Sequence, residues 1–499
     1  MQKIINILIA PACLLILVLG SGCKKMIEVT PQSSITEQTY FKSEGDFDPY
    51  LTGIYPSMRT LANNVTYGTE RSEELIPALN SRFTTAWSQI LSPSTGALNY
   101  NDWYKAIGNC NLLFDKIKSF SFSSAPDTKA RILAETYALR GYFYFHLTRI
   151  IGDAPIMLQA VVDENVPLLA RSPAKDVMKQ VFSDLDSAIF YFRSVSGFSV
   201  KTYPSKYRFA YGSVQALKAD AKLWDAKVLG GGTADLNDVV AAASEVEASG
   251  LTLNTDFSKV TSTRASGNTE VALAAYYLRD ETGANYALNA LPYLVGGAQG
   301  AVNIDSLPYV QTTTNGQGAY QISVKSRALF ANSRDKRIPY TWVTQRNIDS
   351  RTKDTVNGIS WITKYVGTKY ADDRVSDNDV IMYRLADVLL MKAEAYAGLG
   401  NTTDAITYLN KVRSRAGTGN YSGATDEPSV ELELLNERGR ELFFENKRWY
   451  DLVRFHSAGT INVYTYVPNL VGKTTPLYWP LNTTVLANNS KLTQTQGYN

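Results

Sequence analysis

Residues 434–455 read LLNERGRELFFENKRWYDLVRF. Glu437, Glu441 and Glu445 fall at i, i+4 and i+8, so a helix through them stacks three carboxylates in one row. Like charges at that spacing repel by roughly 0.2–0.5 kcal/mol per pair. The row therefore needs cations, and Arg438, Arg440, Arg448 and Arg454 are close enough in sequence to supply them. Leu442, Phe443, Phe444, Trp449 and Tyr450 set large apolar groups among the charges, which predicts a half-buried structural ion network. A catalytic or metal-binding cluster fits less well. Neighbouring arginines would neutralise the row, and the nearest histidine is His456.

Helical periodicity extends outward from this stretch. It predicts helices over 44–62, 97–119, 127–150, 173–195, 208–229 and 235–249, then over 381–398, 402–415 and 429–446. Residues 381–416 form the clearest repeat unit. Ala393, Tyr396, Leu399, Gly400 and Ala405 have tetratricopeptide spacing, in which small alanines let two antiparallel helices approach and Gly400 turns the chain. Residues 216–249 form a looser pair, and 97–119 with 127–150 a third. One such pair cannot bury its own face, so the pairs must stack. Residues 137–156 carry aromatics on all sides of a helix, which implies burial, with Gly141 at a close crossing and His146 as a core histidine. Residues 251–380 are rich in Gly, Thr, Asn and Tyr and read as loops, short strands and short helices. The predicted fold is mainly all-α: a TPR-like α-solenoid, with helices over about 97–249 and 381–446, carrying a large irregular insertion at about 251–380.

The N-terminus gives an address. Lys3 precedes an apolar run from Ile4 to Leu19, followed by Gly20, Ser21, Gly22 and Cys23. This is the layout of a lipoprotein signal over 1–22, with Cys23 as the lipidated residue. The run is short for a membrane span, which needs roughly 20 apolar residues. Residues 23–43 read as a lipid-anchored tether, and 44–499 as a single domain. Several acyl chains make such an anchor stable. Cys13 falls in the signal, which leaves Cys110 as the one cysteine beyond the anchor; a helical apolar setting makes it a structural thiol. A net charge of +3 over 499 residues gives no basic bias toward nucleic acid.

Common catalytic chemistry is disfavoured. With two histidines there is no HExxH site, and neither a GxSxG elbow nor a phosphate loop occurs. GGAQG at 296–300 lacks the strand and helix that a nucleotide loop needs. No metal or cofactor is expected, and SDLD (183–186) and DDRVSDND (372–379) lack EF-hand spacing. A spatial pair of carboxylates at ~5–9 Å would be the route to a glycosidase. Glycan binding instead needs flat aromatics with polar groups at their rim. Two regions outside the repeats offer that mixture. RSEELIPALNSRFTTAWSQ (71–89) holds Asn80, Arg82, Phe83 and Trp87. The insertion holds Tyr286, Tyr293 and Tyr309, then Tyr320, Tyr340 and Trp342. Trp87 and the insertion tyrosines are the expected stacking platform, and Asn80 and Arg82 the expected hydrogen-bonding groups. Trp103 lies in a scaffold helix and reads as core. Arg334, Asp335 and Arg337 read as a salt-bridged turn.

Several blocks resemble the SusD/RagB family in that family's order. They are EVTPQSSITEQTYFKSEGDFDPYLTGIYPSMR (28–59), WYKAIGNCNLL (103–113), ALRGYFYFHLTRIIGDAPI (138–156), RLADVLLMKAEA (384–395), YLNKVRSRAG (408–417), the 437–455 segment and PLYWPLNTTVLANNSKLTQTQGY (476–498). The resemblance implies a non-enzymatic lipoprotein of the outer membrane, exposed at the cell surface. It implies capture of an oligosaccharide or polysaccharide for a SusC-like TonB-dependent transporter, with ligand contacts from the two regions named above. A peptide-binding receptor of the same uptake system and a TPR protein-interaction scaffold are the alternatives.

Overall fold

The computed structural model describes residues 40–79, 84–161, 167–262, 264–281, 286–312 and 318–498. The signal, Cys23 and nearly all of the expected tether therefore lie outside the described residues. The expected helix over 44–62 is divided. Glu44–Asp46 is a single 3₁₀ turn. After it come α1 (Phe47–Thr52) and α2 (Tyr55–Ala62), separated at Gly53 and Ile54, with Pro56 in the first turn of α2.

The scaffold follows as α3 (Asn101–Ser119), α4 (Pro126–Ile151), α5 (Ala174–Arg193), α6 (Tyr211–Trp224) and α7 (Gly232–Ala248). Each packs on its neighbours in the chain, as a solenoid requires. In α4, Phe143, Phe145 and Leu147 are all fully buried, as its all-round aromatic pattern predicts. Gly141 marks the crossing onto α5: a Cβ there would meet Leu185 at 3.1 Å. Cys110 and Trp103 are core, and burial pushes the Cys110 thiol up. His146 packs on Tyr142 with ring centroids 4.1 Å apart, and burial drives its pKa well down, so it stays neutral.

The insertion is mostly loop, with short strands in antiparallel pairs. β1 (Leu75–Pro77) lies ahead of it, and within it come β2 (Val271–Ala275), β3 (Tyr320–Ile322), the short helix α8 (Val324–Leu329), β4 (Trp342–Ile348), β5 (Thr355–Ile362), β6 (Thr368–Lys369) and β7 (Arg374–Val375). β8 (Val380–Arg384) closes it by pairing with β2. Residues 381–384 are thus strand where periodicity predicted helix. A short, fully buried apolar run looks alike in either state, and its partner strand decides. Both ends of the insertion meet at this pair. As a result α9 (Leu385–Gly398) packs on α7 as the next element of the solenoid, although more than a hundred residues intervene. α10 (Thr402–Ala416) completes the repeat, with Ala393 and Ala405 fully buried and Gly400 at φ +76°. α11 (Glu427–Glu441) and α12 (Arg448–Ser457) follow, then α13 (Val463–Tyr466) and α14 (Thr483–Asn488). Residues 47–499 form one compact unit.

The carboxylate row differs from its expected form. α11 stops at Glu441, and Phe444 and Asn446 take positive φ angles of 56° and 58°. Glu445 lies beyond the helix, yet it joins the same network. Glu437 accepts from Arg337 at 2.6 Å and from Arg440 at 2.6 Å. Glu441 accepts from Arg337 at 3.0 Å, from Arg384 at 2.6 Å and from Arg415. Glu445 accepts from Arg384 and Lys364, each at 2.7 Å. Glu270 on the other side binds Arg384 and Arg415. Most of the cations therefore come from remote elements. Of the four expected arginines only Arg440 serves the row. Arg438 binds Asp387 and Asp451, Arg448 binds Glu73, and Arg454 binds Glu394 and Asp451. The network is buried rather than half-buried, with only Arg440 of its members at the rim. The Arg334–Arg337 turn is salt-bridged as expected, Arg337 to Asp335 at 2.7 Å, and it also feeds the hub.

Burial alone would push the Glu441 carboxyl up. Arg415, Arg384 and Arg337 override it and hold it far below the usual carboxylate range. Burial of Asp387 is overridden in the same way by Lys447 and Arg438, which bring it down to about 2. A carboxyl with a lowered folded pKa stabilises the fold above its unfolded value and loses that contribution as pH falls through the folded value. Asp387's contribution should therefore be complete well above 3.8 and drain away toward about 2. Glu441→Gln, which keeps the shape and leaves three arginines short of a partner, should cost about 3–5 kcal/mol. Urea unfolding at pH 7 measures that loss, and the gap between wild type and variant should shrink when the titration is repeated near pH 3.

Candidate ligand-binding face

The two regions singled out in the sequence are joined by one strand pair. β1 runs antiparallel to β3, with Leu75 opposite Ile322, Ile76 opposite Gln321 and Pro77 opposite Tyr320. Glu70 reinforces the junction, accepting from Thr84 at 3.0 Å and from the Tyr320 hydroxyl at 3.2 Å. Tyr320 is consequently buried, not a surface ring.

Trp87 is half-buried and anchored on β1: its indole N–H donates to the Leu75 carbonyl at 2.8 Å. Its loop is held by the C-terminal segment. Asn469 donates to the Trp87 carbonyl at 3.0 Å and Thr475 to that of Gln89 at 2.8 Å. Arg71 clamps the same loop. Its guanidinium donates to Gln89 and to the carbonyls of Pro476 and Leu477, sandwiched near Trp449 and Trp479. Burial lowers its pKa to about 10.

Beyond β1 the face is built on Trp361 of β5, which is fully buried and donates to Gln345 at 2.7 Å. Around it pack Ala78, Ala298, Ala301 and Leu307, with Tyr309 and Val343 partly buried against them. Gly318 lies where a Cβ would meet Leu79 at 3.1 Å and Trp361 at 3.3 Å. The Tyr293 ring lies directly over Gly296, in a π-helical turn (Leu294–Ala298) that takes in the first three residues of the GGAQG stretch. Leu79, Val295 and Val302 are 39%, 71% and 50% exposed, an unusual apolar showing for one small area.

Of the expected contact residues, Tyr293, Tyr309 and Trp87 are half-buried on this assembly. Asn80, Arg82 and Phe83 lie outside the described residues. Tyr286 is a correction: it is 2% exposed, its ring packs on Phe444 and Tyr365, and its hydroxyl donates to the Phe444 carbonyl. It is a core residue with no face to offer a ligand. Trp342 is half-buried, edge-on to Phe330 with centroids 5.0 Å apart. Sequence reading missed Trp361, Leu79 and Val295. Nothing local marks Trp361 as the floor, because strand pairing alone places it beneath both regions. Two cavities lie elsewhere: about 570 Å³ between α3, residues 155–161 and 167–169 and α14, and about 340 Å³ between α2 and residues 205–208. Among the described residues no group of three or more His, Cys, Asp or Glu is placed to hold a metal. The four aspartates of 372–379 are instead engaged by Arg264, Arg279 and backbone N–H groups.

Comparison with known proteins gives the lineage. A profile described as "SusD family" matches residues 309–498, and one described as "Starch-binding associating with outer membrane" matches 25–215. The chain belongs to the SusD/RagB family. SusD-like protein P38 of Formosa agariphila is 25% identical, with 100% of each chain covered. The starch-binding protein SusD of Bacteroides thetaiotaomicron is 32% identical over 129 residues, 24% of this chain and 22% of that one. A SusD superfamily crystal structure from Bacteroides fragilis superposes with a TM-score of 0.80 at 26% identity, covering 92% of this chain and 100% of the other. NanU of B. fragilis gives 0.78 at 26%, over 94% and 100%. The mainly helical, TPR-like fold is the fold of these SusD-family neighbours.

Gly296→Ala would drive a Cβ into the Tyr293 ring, at 1.6 Å from its Cζ. The ring is the free end of a flexible side chain, so it should swing outward while thermal stability stays nearly unchanged. A crystal structure of the variant with a melting curve tests both halves.

Proposed function

We propose that this protein is a non-enzymatic receptor that binds an oligosaccharide or polysaccharide on the face built by β1, β3 and Trp361. The observation that carries this reading is the β1–β3 pairing. It fuses the two aromatic- and amide-rich regions into one surface bearing Trp87, Tyr293 and Tyr309. The sugar's C–H faces stack on these rings, and Asn80 and Arg82, with Phe83 beside them in sequence, are the residues assigned to hydrogen-bond and contact it. The starch-binding descriptions attached to a matching family profile and to a relative support glycan as cargo.

In this reading the chain is lipidated at Cys23 after removal of 1–22, and residues 23–43 tether it to the outer membrane at the cell surface. It hands its cargo to a SusC-like TonB-dependent transporter. Residues 44–499 act as one ligand-binding domain. No helix among the described residues is long and apolar enough to cross a membrane.

The test is retardation of the protein in native gels loaded with a panel of polysaccharides, with a peptide mixture run alongside. Wild type should be retarded by one glycan class, and Trp87→Ala should weaken that retardation roughly tenfold, as loss of a central aromatic anchor does. Retention by peptide alone would replace the glycan with a peptide cargo. Unchanged retardation of Trp87→Ala would move the site off this face.

A further inference from the structure

The 340 Å³ cavity between α2 and residues 205–208 shares no residue with the β1–β3 face. Its walls are aromatic and apolar: Tyr55, Pro56, Met58, Tyr207, Ala275 and Tyr276. Tyr276 and Tyr207 meet edge to face with centroids 5.1 Å apart, and both are half-exposed. The volume is at the low end for small-molecule sites, room for one ring rather than a chain of them.

Arg208 and Arg59 both line it, and their states differ. Arg208 is committed: it binds Glu135 at 2.7 Å and Asp48 at 2.8 Å. Arg131 joins the same two acids, so this cluster of two cations and two anions is neutral. Arg59, in the last turn of α2, is half-buried and has no acidic partner among the described residues. Its guanidinium carbon lies 5.9 Å from the centre of the Tyr277 ring. Tyr277 uses its own hydroxyl on the Arg59 carbonyl, which fixes the backbone beneath the charge. Guanidinium is always protonated and offers five N–H donors in a fork matched to carboxylate. Half-exposed beside an aromatic wall, that fork of donors is open to an anion entering the cavity.

We propose that this cavity is a second ligand site, which takes a single ring bearing a carboxylate. Arg59 receives the carboxylate, and Tyr276 and Tyr207 flank the ring. The carboxylated ring is either a sugar acid or an aromatic acid, since both present the same charge beside the same kind of face. The site is independent of the proposed glycan face and does not require it.

The experiment is isothermal titration calorimetry on the full chain with D-glucuronate and with benzoate, each paired with an uncharged counterpart, methyl glucoside and benzyl alcohol. Binding of glucuronate but not methyl glucoside identifies a sugar acid; binding of benzoate but not benzyl alcohol identifies an aromatic acid. Either supports the proposal. Arg59→Gln should weaken the binding acid roughly tenfold or more, the worth of one charge-assisted pair. Arg59→Lys, which keeps the charge without the fork, should retain part of the affinity. Arg59 makes no ion pair among the described residues, so neither variant should shift the melting curve. Tyr276→Leu should weaken binding with the charge intact. Trp87→Ala should leave it unchanged, so failure here and failure of the glycan face are separable. No heat from either acid, equal binding of acid and neutral counterpart, or unaltered affinity in Arg59→Gln overturns the proposal.

Discussion

Glu441 is the point on which the architecture converges. One carboxylate takes guanidinium groups from Arg337, Arg384 and Arg415. These belong to the insertion, to the strand that closes the insertion, and to the second helix of the terminal repeat. Glu441 itself ends α11. Four segments that are remote in sequence are thereby fixed around one buried charge. Desolvating these ions is expensive, and that cost is offset only because each carboxylate meets several donors at hydrogen-bonding distance. The hub is therefore a device of register as much as of stability. A displaced insertion would strand Arg337 and Lys364 in an apolar interior.

The face follows from that anchoring. Arg337 and Lys364 bracket the β4–β5 hairpin, so fixing them to Glu437, Glu441 and Glu445 sets where Trp361 lies. Trp361 in turn supports the loops that carry Tyr293 and Tyr309. From the other side the C-terminal segment holds the Trp87 loop through backbone carbonyls and through Arg71. The ring-bearing segments are short and irregular, yet each is tied to the scaffold by buried polar contacts. A surface that must present aromatics at fixed spacing needs such support, because the loops have little regular hydrogen bonding of their own.

Much of the scaffold was legible beforehand. Ala393, Ala405 and Gly400 announce a tight helix pair, and the structure has one. Gly141 announces a close crossing and makes one with Leu185. The misreadings have physical causes. Residues 381–383 are an apolar run ending at Arg384, so period could not tell strand from helix, and only β2 decided it. Glu437, Glu441 and Glu445 share a helical period, but the helix ends at Glu441 and two residues with positive φ carry Glu445 back to the hub. Tyr286 has the composition of a platform residue and the surroundings of a core residue. Tyrosine suits both places, so composition alone could not separate them.

The sequence by itself determined the helical repeats, the irregular insertion between them and the need for an ion network, because these depend on local period, residue size and like-charge repulsion. It could also name the two regions that meet at the face. The tertiary structure alone decided which cations answer each carboxylate, that β1 and β3 pair over Trp361, and that Arg59 meets no acid among the described residues beside an aromatic cavity. Those outcomes depend on which distant segments come together, and pairing across hundreds of residues leaves no periodic trace in the chain.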